Sequence, residues 1–318
     1  MNRAESASPA LSVRALARRF GATSAVAGLD FDVAPGEIFG LVGPDGAGKT
    51  TTMRMLAGVM RPDAGQVLLD GVDVVAEPEQ ARQRVSYMPQ RFALYEDLTV
   101  DENIRFFADL FEVPGPLWRT RAAELLAASG MTPFRRRLAA QLSGGMKQKL
   151  GLTCALVHAP RVLLLDEPTT GVDPVSRREF WQILYRLRAE GVAMVISTAY
   201  LDEAERCDRL ALLNEGRILH ADTPARLKAQ MPGAILRVTC AQPRAVAELA
   251  LSCDGVAGAL AAGDGVNLHV DDPAVRRPQL AAALAGSGIR ADDIVQVEPS
   301  VEDLFVALLE RKAPAAAT

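Results

Sequence analysis

The sequence predicts an α/β protein in two parts. A mixed α/β core spans residues 11–222 and contains a helical insertion at 91–145; a small ferredoxin-like α+β domain follows over 223–312. Three observations predict this. Short apolar runs bounded by glycine or acidic residues alternate with helical patterns through the first two-thirds of the chain. From Phe92 to Leu142 the strand signals vanish, and apolar residues recur at helical spacing, as in ENIRFFADLF. Beyond Thr223-Pro224 the alternation resumes with shorter elements. Residues 1–10 and 313–318 read as tails.

Each element has a local reason. FDVAPGEIFGLVG holds two strand runs with Pro35-Gly36 as the turn between them, and IFGLVG, apolar and closed by glycine, suits a central strand. In the insertion, VPGP at Val113 to Pro116 breaks one helix from the next. VLLLDEP and VAMVIS are further buried strands, and LALLNEGRILHADTP reads as two short strands turning at Asn214 to Gly216. Thr223-Pro224 is a helix start, with Thr as the cap and Pro in the first turn. ILRVTC, PRAVAELAL, a weak strand near Val256 to Leu260, VNLHV, AVRRPQLAAALA, IVQV and VEDLFVALLE then give the order of a split βαβ module. Pro278 is expected to interrupt the AVRRPQLAAALA helix.

Composition excludes several classes. With 318 residues and 49% apolar content, a large core needs no disulfides. No stretch approaches the roughly 20 apolar residues of a spanning helix, and the N-terminus lacks the pattern of a signal peptide. A net charge of −4 argues against a nucleic-acid partner; Arg135-Arg136-Arg137 is the one notable basic cluster. Cys154, Cys207, Cys240 and Cys253 have neither metal nor framework spacing and read as small hydrophobes.

Three motifs carry chemistry. GPDGAGKT, Gly43 to Thr50, follows a strand and opens the helical run TTMRMLAGVM, as a phosphate loop of the P-loop NTPase class does. Its glycines turn backbone N–H groups inward, the helix start adds positive potential, Lys49 reaches terminal phosphates, and Thr50 can ligate Mg²⁺. Only five of the 35 basic residues are lysine, yet one stands here, where a compact ammonium fits and a broad guanidinium does not. VLLLDEP supplies Asp166 at a strand end for Mg²⁺ and Glu167 to orient and deprotonate an attacking water. LSGGMKQKL opens a helix with a serine and two glycines, a second anion-holding N-terminus. One chain needs no second cradle for the same nucleotide, so this one points to a neighbour's.

The set GPDGAGKTT, Gln90 in YMPQ, LSGGM, VLLLDEP and GVDP, in this order, resembles the ATP-binding subunit of an ABC transporter over roughly Leu11 to Asp222. The extension ending in PSVEDLFVALLE is similar to that of exporter-type subunits, including drug and antibiotic exporters. The resemblance implies an ABC ATPase core with ATP and Mg²⁺ as ligands. Gly43, Pro44, Asp45, Gly46, Ala47, Gly48, Lys49, Thr50 and Thr51 would form the phosphate site, with Phe20 stacked on adenine. Thr50, Gln90 and Asp166 would lie at the metal, and Gln90 and Glu167 at the attacking water. Ser143, Gly144 and Gly145 would close over the opposite subunit's γ-phosphate, and Asp173 would couple the two sites. Asp45 stands where asparagine is commoner and adds negative charge; Met146 replaces the usual signature glutamine and leaves the anion-holding part intact.

The resemblance also implies separate membrane permease subunits, a homodimer or a heterodimer with a second ABC ATPase, and a peripheral place on the cytoplasmic side of the cell membrane. Exposed apolar side chains among Phe92, Leu94 and Tyr95, beside Gln90, would receive the permease. One position departs from the pattern. Where the family has histidine after the Ser-Thr strand end, donating to the γ-phosphate, this chain has Ala199. His158, at a helix end, is not a substitute, and neighbouring strand-end side chains point oppositely, which sets Tyr200 aside. Firm ATP binding with slow hydrolysis is the expectation, either in a dimer of two slow sites or beside a competent partner; a soluble ABC ATPase acting on nucleic acid is the remaining alternative.

Overall fold

The computed structural model describes residues 8–91 and 94–312. The chain divides into two compact units, one reaching to Ala221 and the other beginning at Asp222.

The first unit is built on a six-stranded sheet in the order Arg217–Asp222, Arg209–Asn214, Ile38–Val42, Ala193–Thr198, Val162–Asp166, Val85–Met88. The four adjoining pairs from Arg209–Asn214 to Val85–Met88 are parallel. Parallel strands are covered on both faces, which explains their near-continuous apolar runs. Within those runs the period of two still sorts the side chains. Phe39, Leu41, Val162, Leu164, Ala193 and Val195 join one core with Met53, Met55 and Leu56 of the helix Lys49–Leu56. Ile38, Leu163, Leu165, Met194 and Ile196 join another with Phe180, Trp181 and Leu184 of the helix Pro174–Ala189.

Of a second sheet, the FDV run at the end of the strand Thr23–Val33 was the part read in the sequence. Thr23–Val33, Leu11–Phe20, Ala64–Leu69 and Val72–Asp73 pair antiparallel in that order and pack into the first of those cores. Its signal is broken locally: Ala15 has φ 46°, and the register shifts between Val13 and Leu16, so no simple alternation runs the length of the strand.

The insertion contains the helices Val100–Leu110 and Gly115–Ala128. Thr99 and Glu102 form a reciprocal capping box at the first, each satisfying the other's backbone N–H. Leu150, Cys154 and Val157, on or just beyond the helix Gly144–Leu156, share their core with Ile104, Trp118 and Leu126.

The second unit runs strand Ala234–Thr239, helix Pro243–Leu251, strands Val256–Ala262 and Gly265–Val270, helix Pro273–Gly286, strand Asp293–Val297 and helix Val301–Lys312. Its sheet order places Gly265–Val270 and Asp293–Val297 on either side of Ala234–Thr239, all antiparallel, which is the split βαβ arrangement. One expectation is corrected. The helix Pro273–Gly286 runs through Pro278 without a break. Pro278 is only the sixth residue, so a single N–H to the Ala274 carbonyl is forfeited near the start, while Leu280 and Leu284 bury the rest. Among the described residues, no helix is long and apolar enough to cross a membrane.

Candidate functional site

The phosphate-loop motif lies between the strand Ile38–Val42 and the helix Lys49–Leu56, as its residue types require. Gly48 has φ 104°, and a Cβ there would overlap the Ala25 carbonyl, so the position admits only glycine. Gly43 is likewise confined by the Leu213 carbonyl. Pro44, Asp45 and Gly46 form the exposed crest, Ala47 is buried beneath it, and Thr50 and Thr51 are half-buried in the first turn. The Glu215-Gly216 turn braces the loop, Gly216 donating its N–H to the Ala47 carbonyl at 3.0 Å.

Lys49 is buried, with 4% of its side chain exposed, and lies 3.4 Å from Glu167 Oε1. Its ammonium donates to the carbonyls of Gly43 at 2.8 Å and Pro44 at 3.1 Å. Asp166 ends its strand in the series of Val162 and Leu164, the face on which the helix Lys49–Leu56 packs. That alternation carries its carboxylate to the helix start. Thr50 donates to Asp166 Oδ1 at 3.2 Å, Ser197 donates to the same oxygen at 2.5 Å, and the Tyr87 phenol donates to Oδ2 at 3.1 Å. Thr50 Oγ1 and Asp166 Oδ1 are thus two convergent hard oxygen donors at the loop, a set that fits Mg²⁺.

Glu167 adopts φ 49°, an uncommon backbone for a residue with a Cβ that costs about 1–2 kcal/mol. It is held there by its own N–H, which reaches both the carbonyl and the hydroxyl of Ser197 at 3.1 Å. The turn sends its carboxylate back over the loop toward Lys49. Gln90 donates to Glu167 Oε2 at 2.9 Å. The structure therefore brings Lys49, Thr50, Gln90, Asp166 and Glu167 into one contact network.

Burial and the neighbouring Asp166 push the Tyr87 phenol up to about 12. Sequence reasoning passed over Tyr87 although it stands in the quoted YMPQ, and it gave Ser197 no role. Strand alternation could have found both. Residues 85 and 87, 162 to 166 in steps of two, and 193 to 197 in steps of two share one face of three adjacent strands.

The other predicted residues lie apart from that network. Ser143 caps the helix Gly144–Leu156, its hydroxyl accepting from the Met146 N–H at 3.4 Å. Gly144 has nothing within 4 Å of an ideal Cβ, whereas a Cβ on Gly145 would overlap the Ser176 hydroxyl. The first glycine leaves the helix start open, and the second lets it press against the helix Pro174–Ala189. Asp173 is exposed and caps that second helix, accepting from Val175 and Ser176 N–H at 3.1 and 2.9 Å. Hydrogen bonds from Ser176 hold its carboxyl below the ordinary carboxylate range. Phe20 is 47% exposed at the end of its strand, with the Arg18 guanidinium 5.2 Å from its ring centre. It is not a core residue.

Ala199 lies just past the end of the strand Ala193–Thr198 and is exposed. The Tyr200 ring is 4.9 Å from the Arg177 guanidinium. Beneath them Glu203, fully buried and unforeseen in the sequence, accepts from Thr169 at 2.6 Å, Thr198 at 3.3 Å and Trp181 at 3.4 Å. Arg177 completes its neutralisation at 3.6 Å. This cluster ties the strand end before Ala199 to the helix that Asp173 caps. His158 is remote in role: it stacks on Phe111 at 3.8 Å and its Nε2 lies 3.3 Å from the Val85 carbonyl. Burial pushes its imidazole down to about 4.

Two further candidates were placed by the structure. Tyr95 is 44% exposed, Leu94 is half-buried, and Phe92 lies outside the described residues. Arg135 is paired with Asp101 at 2.9 Å and Arg137 lies over the Phe134 ring at 4.7 Å.

Known proteins resemble this chain in sequence and fold. The ABC transporter family model matches residues 26–170. The probable multidrug ABC transporter ATP-binding protein YbhF of Escherichia coli K12 is 44% identical over 287 residues, covering 90% of this chain and 49% of that protein. The chain thus spans about half the length of that relative. The daunorubicin resistance ATP-binding protein DrrA2 of Streptomyces coeruleorubidus is 36% identical over 304 residues, 94% of each chain. The Nod factor export ATP-binding protein I of Burkholderia orbicola is 38% identical over 270 residues, covering 85% of this chain and 79% of that protein. A solved structure titled as the ATP binding subunit of an ABC transporter aligns with TM-score 0.64 and 31% identity, covering 69% of this chain and 92% of its own. Motifs, contact network and near full-length similarity converge: this chain belongs to the family of ABC transporter ATP-binding proteins.

Proposed function

We propose that the chain is the ATP-binding and ATP-hydrolysing subunit of an ABC exporter, working through separate membrane permease subunits by ATP-dependent dimerisation. The observation that carries this reading is the contact network of Lys49, Thr50, Gln90, Asp166 and Glu167 at one glycine-built loop. Backbone N–H groups of Gly46 to Thr50 and the Lys49 ammonium would hold the triphosphate. Thr50 and Asp166 would hold Mg²⁺, which neutralises phosphate charge when bound. Glu167 would accept the proton of the attacking water, and Gln90, bonded to it, would set the carboxylate's direction. Phe20, exposed at a strand end, is available to stack on adenine.

The open helix start at Ser143 and Gly144 has no acid or lysine of this network beside it. That supports its use in trans, on the nucleotide of a second copy or of a second ABC ATPase. Export rests on the relatives, which are named for multidrug transport, daunorubicin resistance and Nod factor export. The chain would then act at the cytoplasmic side of the cell membrane, held there by its permease, with Tyr95 and Leu94 in the contact.

Ala199 favours one refinement. No side chain at this position can donate to a γ-phosphate, so this chain's own site would bind ATP firmly and turn it over slowly. In a heterodimer its intact Ser143 and Gly144 would complete a faster partner site.

Sedimentation of the Glu167→Gln chain with and without Mg-ATP tests dimerisation. The expected result is a monomer that becomes a dimer with ATP, and remains a monomer when Ser143 is also replaced by Arg. A chain that binds ATP yet stays monomeric, alone and with its permease, would overturn the reading.

A further inference from the structure

We infer that Tyr87 is a positioning residue for the metal-binding carboxylate: its phenol fixes the rotation of Asp166 so that Oδ1 is presented to Thr50. The inference rests on the nucleotide-binding reading above and deepens it.

The two oxygens of Asp166 have unequal surroundings. Oδ1 receives Thr50 at 3.2 Å and Ser197 at 2.5 Å, while Oδ2 receives Tyr87 at 3.1 Å. The residue is 1% exposed, so water does not replace a missing donor easily. A carboxylate can turn about its last bond; Thr50 and Ser197 hold one oxygen, and a donor on the other is needed to fix the plane of the group from both sides. Tyr87 is that donor. Arg54 of the helix Lys49–Leu56, exposed to solvent, lies near enough for its charge to act on the phenol.

The placement also ties two predicted parts of the site together. Tyr87 and Gln90 lie three residues apart and reach Asp166 and Glu167 respectively, at 3.1 and 2.9 Å. They form two parallel rungs between the segment 87–90 and the acidic pair. The Gln90 rung bears on the carboxylate proposed for water, the Tyr87 rung on the carboxylate proposed for metal. Partners behind a metal ligand commonly change metal affinity 10- to 100-fold when removed.

The test measures how strongly Mg²⁺ tightens nucleotide binding. A fluorescent ATP analogue is titrated in EDTA and again in saturating Mg²⁺, and the ratio of the two dissociation constants is compared between chains. Tyr87→Phe is expected to cut that ratio about 10-fold or more, with the EDTA affinity nearly unchanged. Arg54→Met, a surface change, is expected to cut it less. A merely structural role for Tyr87 would weaken both affinities together or lower the melting temperature, leaving the ratio at the wild-type value. That result overturns the inference. If Tyr87→Phe fails to fold, Arg54→Met decides: a wild-type ratio counts against the proposal and a reduced one supports it. A wild-type chain that binds no nucleotide in either buffer removes the nucleotide reading, and this inference with it.

Discussion

The helices Lys49–Leu56 and Gly144–Leu156 both open at a glycine, Gly48 capping the first and Gly144 starting the second, and each presents N–H groups of the kind that hold anions. Their surroundings differ. At the first, Thr50, Asp166, Glu167 and Gln90 stand within hydrogen-bond contact of one another or of Lys49 at 3.4 Å. At the second, the Ser143 hydroxyl merely caps its own helix, and Gly144 faces open space. One end gathers an ammonium, a hydroxyl, an amide and two carboxylates about the helix start; the other offers its backbone N–H groups and a capping hydroxyl. Identical backbone physics thus gives a complete site in one place and half a site in the other, and the difference lies in what neighbouring strands bring.

The sharpest way to break that comparison is to remove chemistry from the complete end. Glu167→Gln should lower steady-state turnover by about 10²–10⁴ while ATP affinity stays near wild type. Loss of affinity instead, read by equilibrium titration, would mean that Glu167 serves chiefly as the counter-charge of Lys49. Next in size is the group that the complete end lacks. Ala199→His should raise turnover by about 10²–10³, the value of one donor aimed at developing charge. Equal rates for the two chains would assign the alanine no cost.

The far end of the second helix offers a pH test. His158, two residues beyond Leu156, has a folded value near 4, below its ordinary 6.5, so the unfolded chain takes up the proton first as pH falls. Its contribution is complete above pH 6.5 and is lost between there and about 4. At 1.36 kcal/mol per unit the loss approaches about 3 kcal/mol. Urea midpoints from pH 7 to 4 should fall less steeply in His158→Phe, which keeps the stack on Phe111. The same slope in both chains would place the titration elsewhere.

The smallest effects separate the two signature glycines. Gly145→Ala should destabilise the fold by about 1–3 kcal/mol through overlap with Ser176, and Gly144→Ala by no more than about 0.5 kcal/mol. Thermal melts read both. Yet Gly144→Ala should be the more harmful to ATP-dependent dimerisation, because only its face is open. If the stability losses were equal, the assignment of one glycine to packing and the other to a partner would fail.

Much of this was legible in the residues. The phosphate loop, the acidic pair and the capped helix start are local devices, in which glycine, lysine and serine act through backbone geometry a few residues long. The strands that carry them follow from short apolar runs, and the second unit from its element order. Most of the first antiparallel sheet beyond the FDV run was not legible, because the bulge at Ala15 interrupts the alternation of its strand Leu11–Phe20. Pro278 misled because its cost depends on where in a helix it falls and on what the helix buries afterwards.

What the sequence determined by itself, then, is which residues can do chemistry and on which element each sits, since those are matters of local covalent geometry and periodicity. Only the tertiary structure decided their company. Tyr87 meets Asp166 across 79 positions of chain, Gln90 meets Glu167 across 77, and Glu203 gathers Thr169 and Trp181 from 34 and 22 positions away. Contacts of that kind depend on strand order and register in a sheet whose faces are both buried. They are fixed by how the whole core packs, not by any stretch of neighbouring residues.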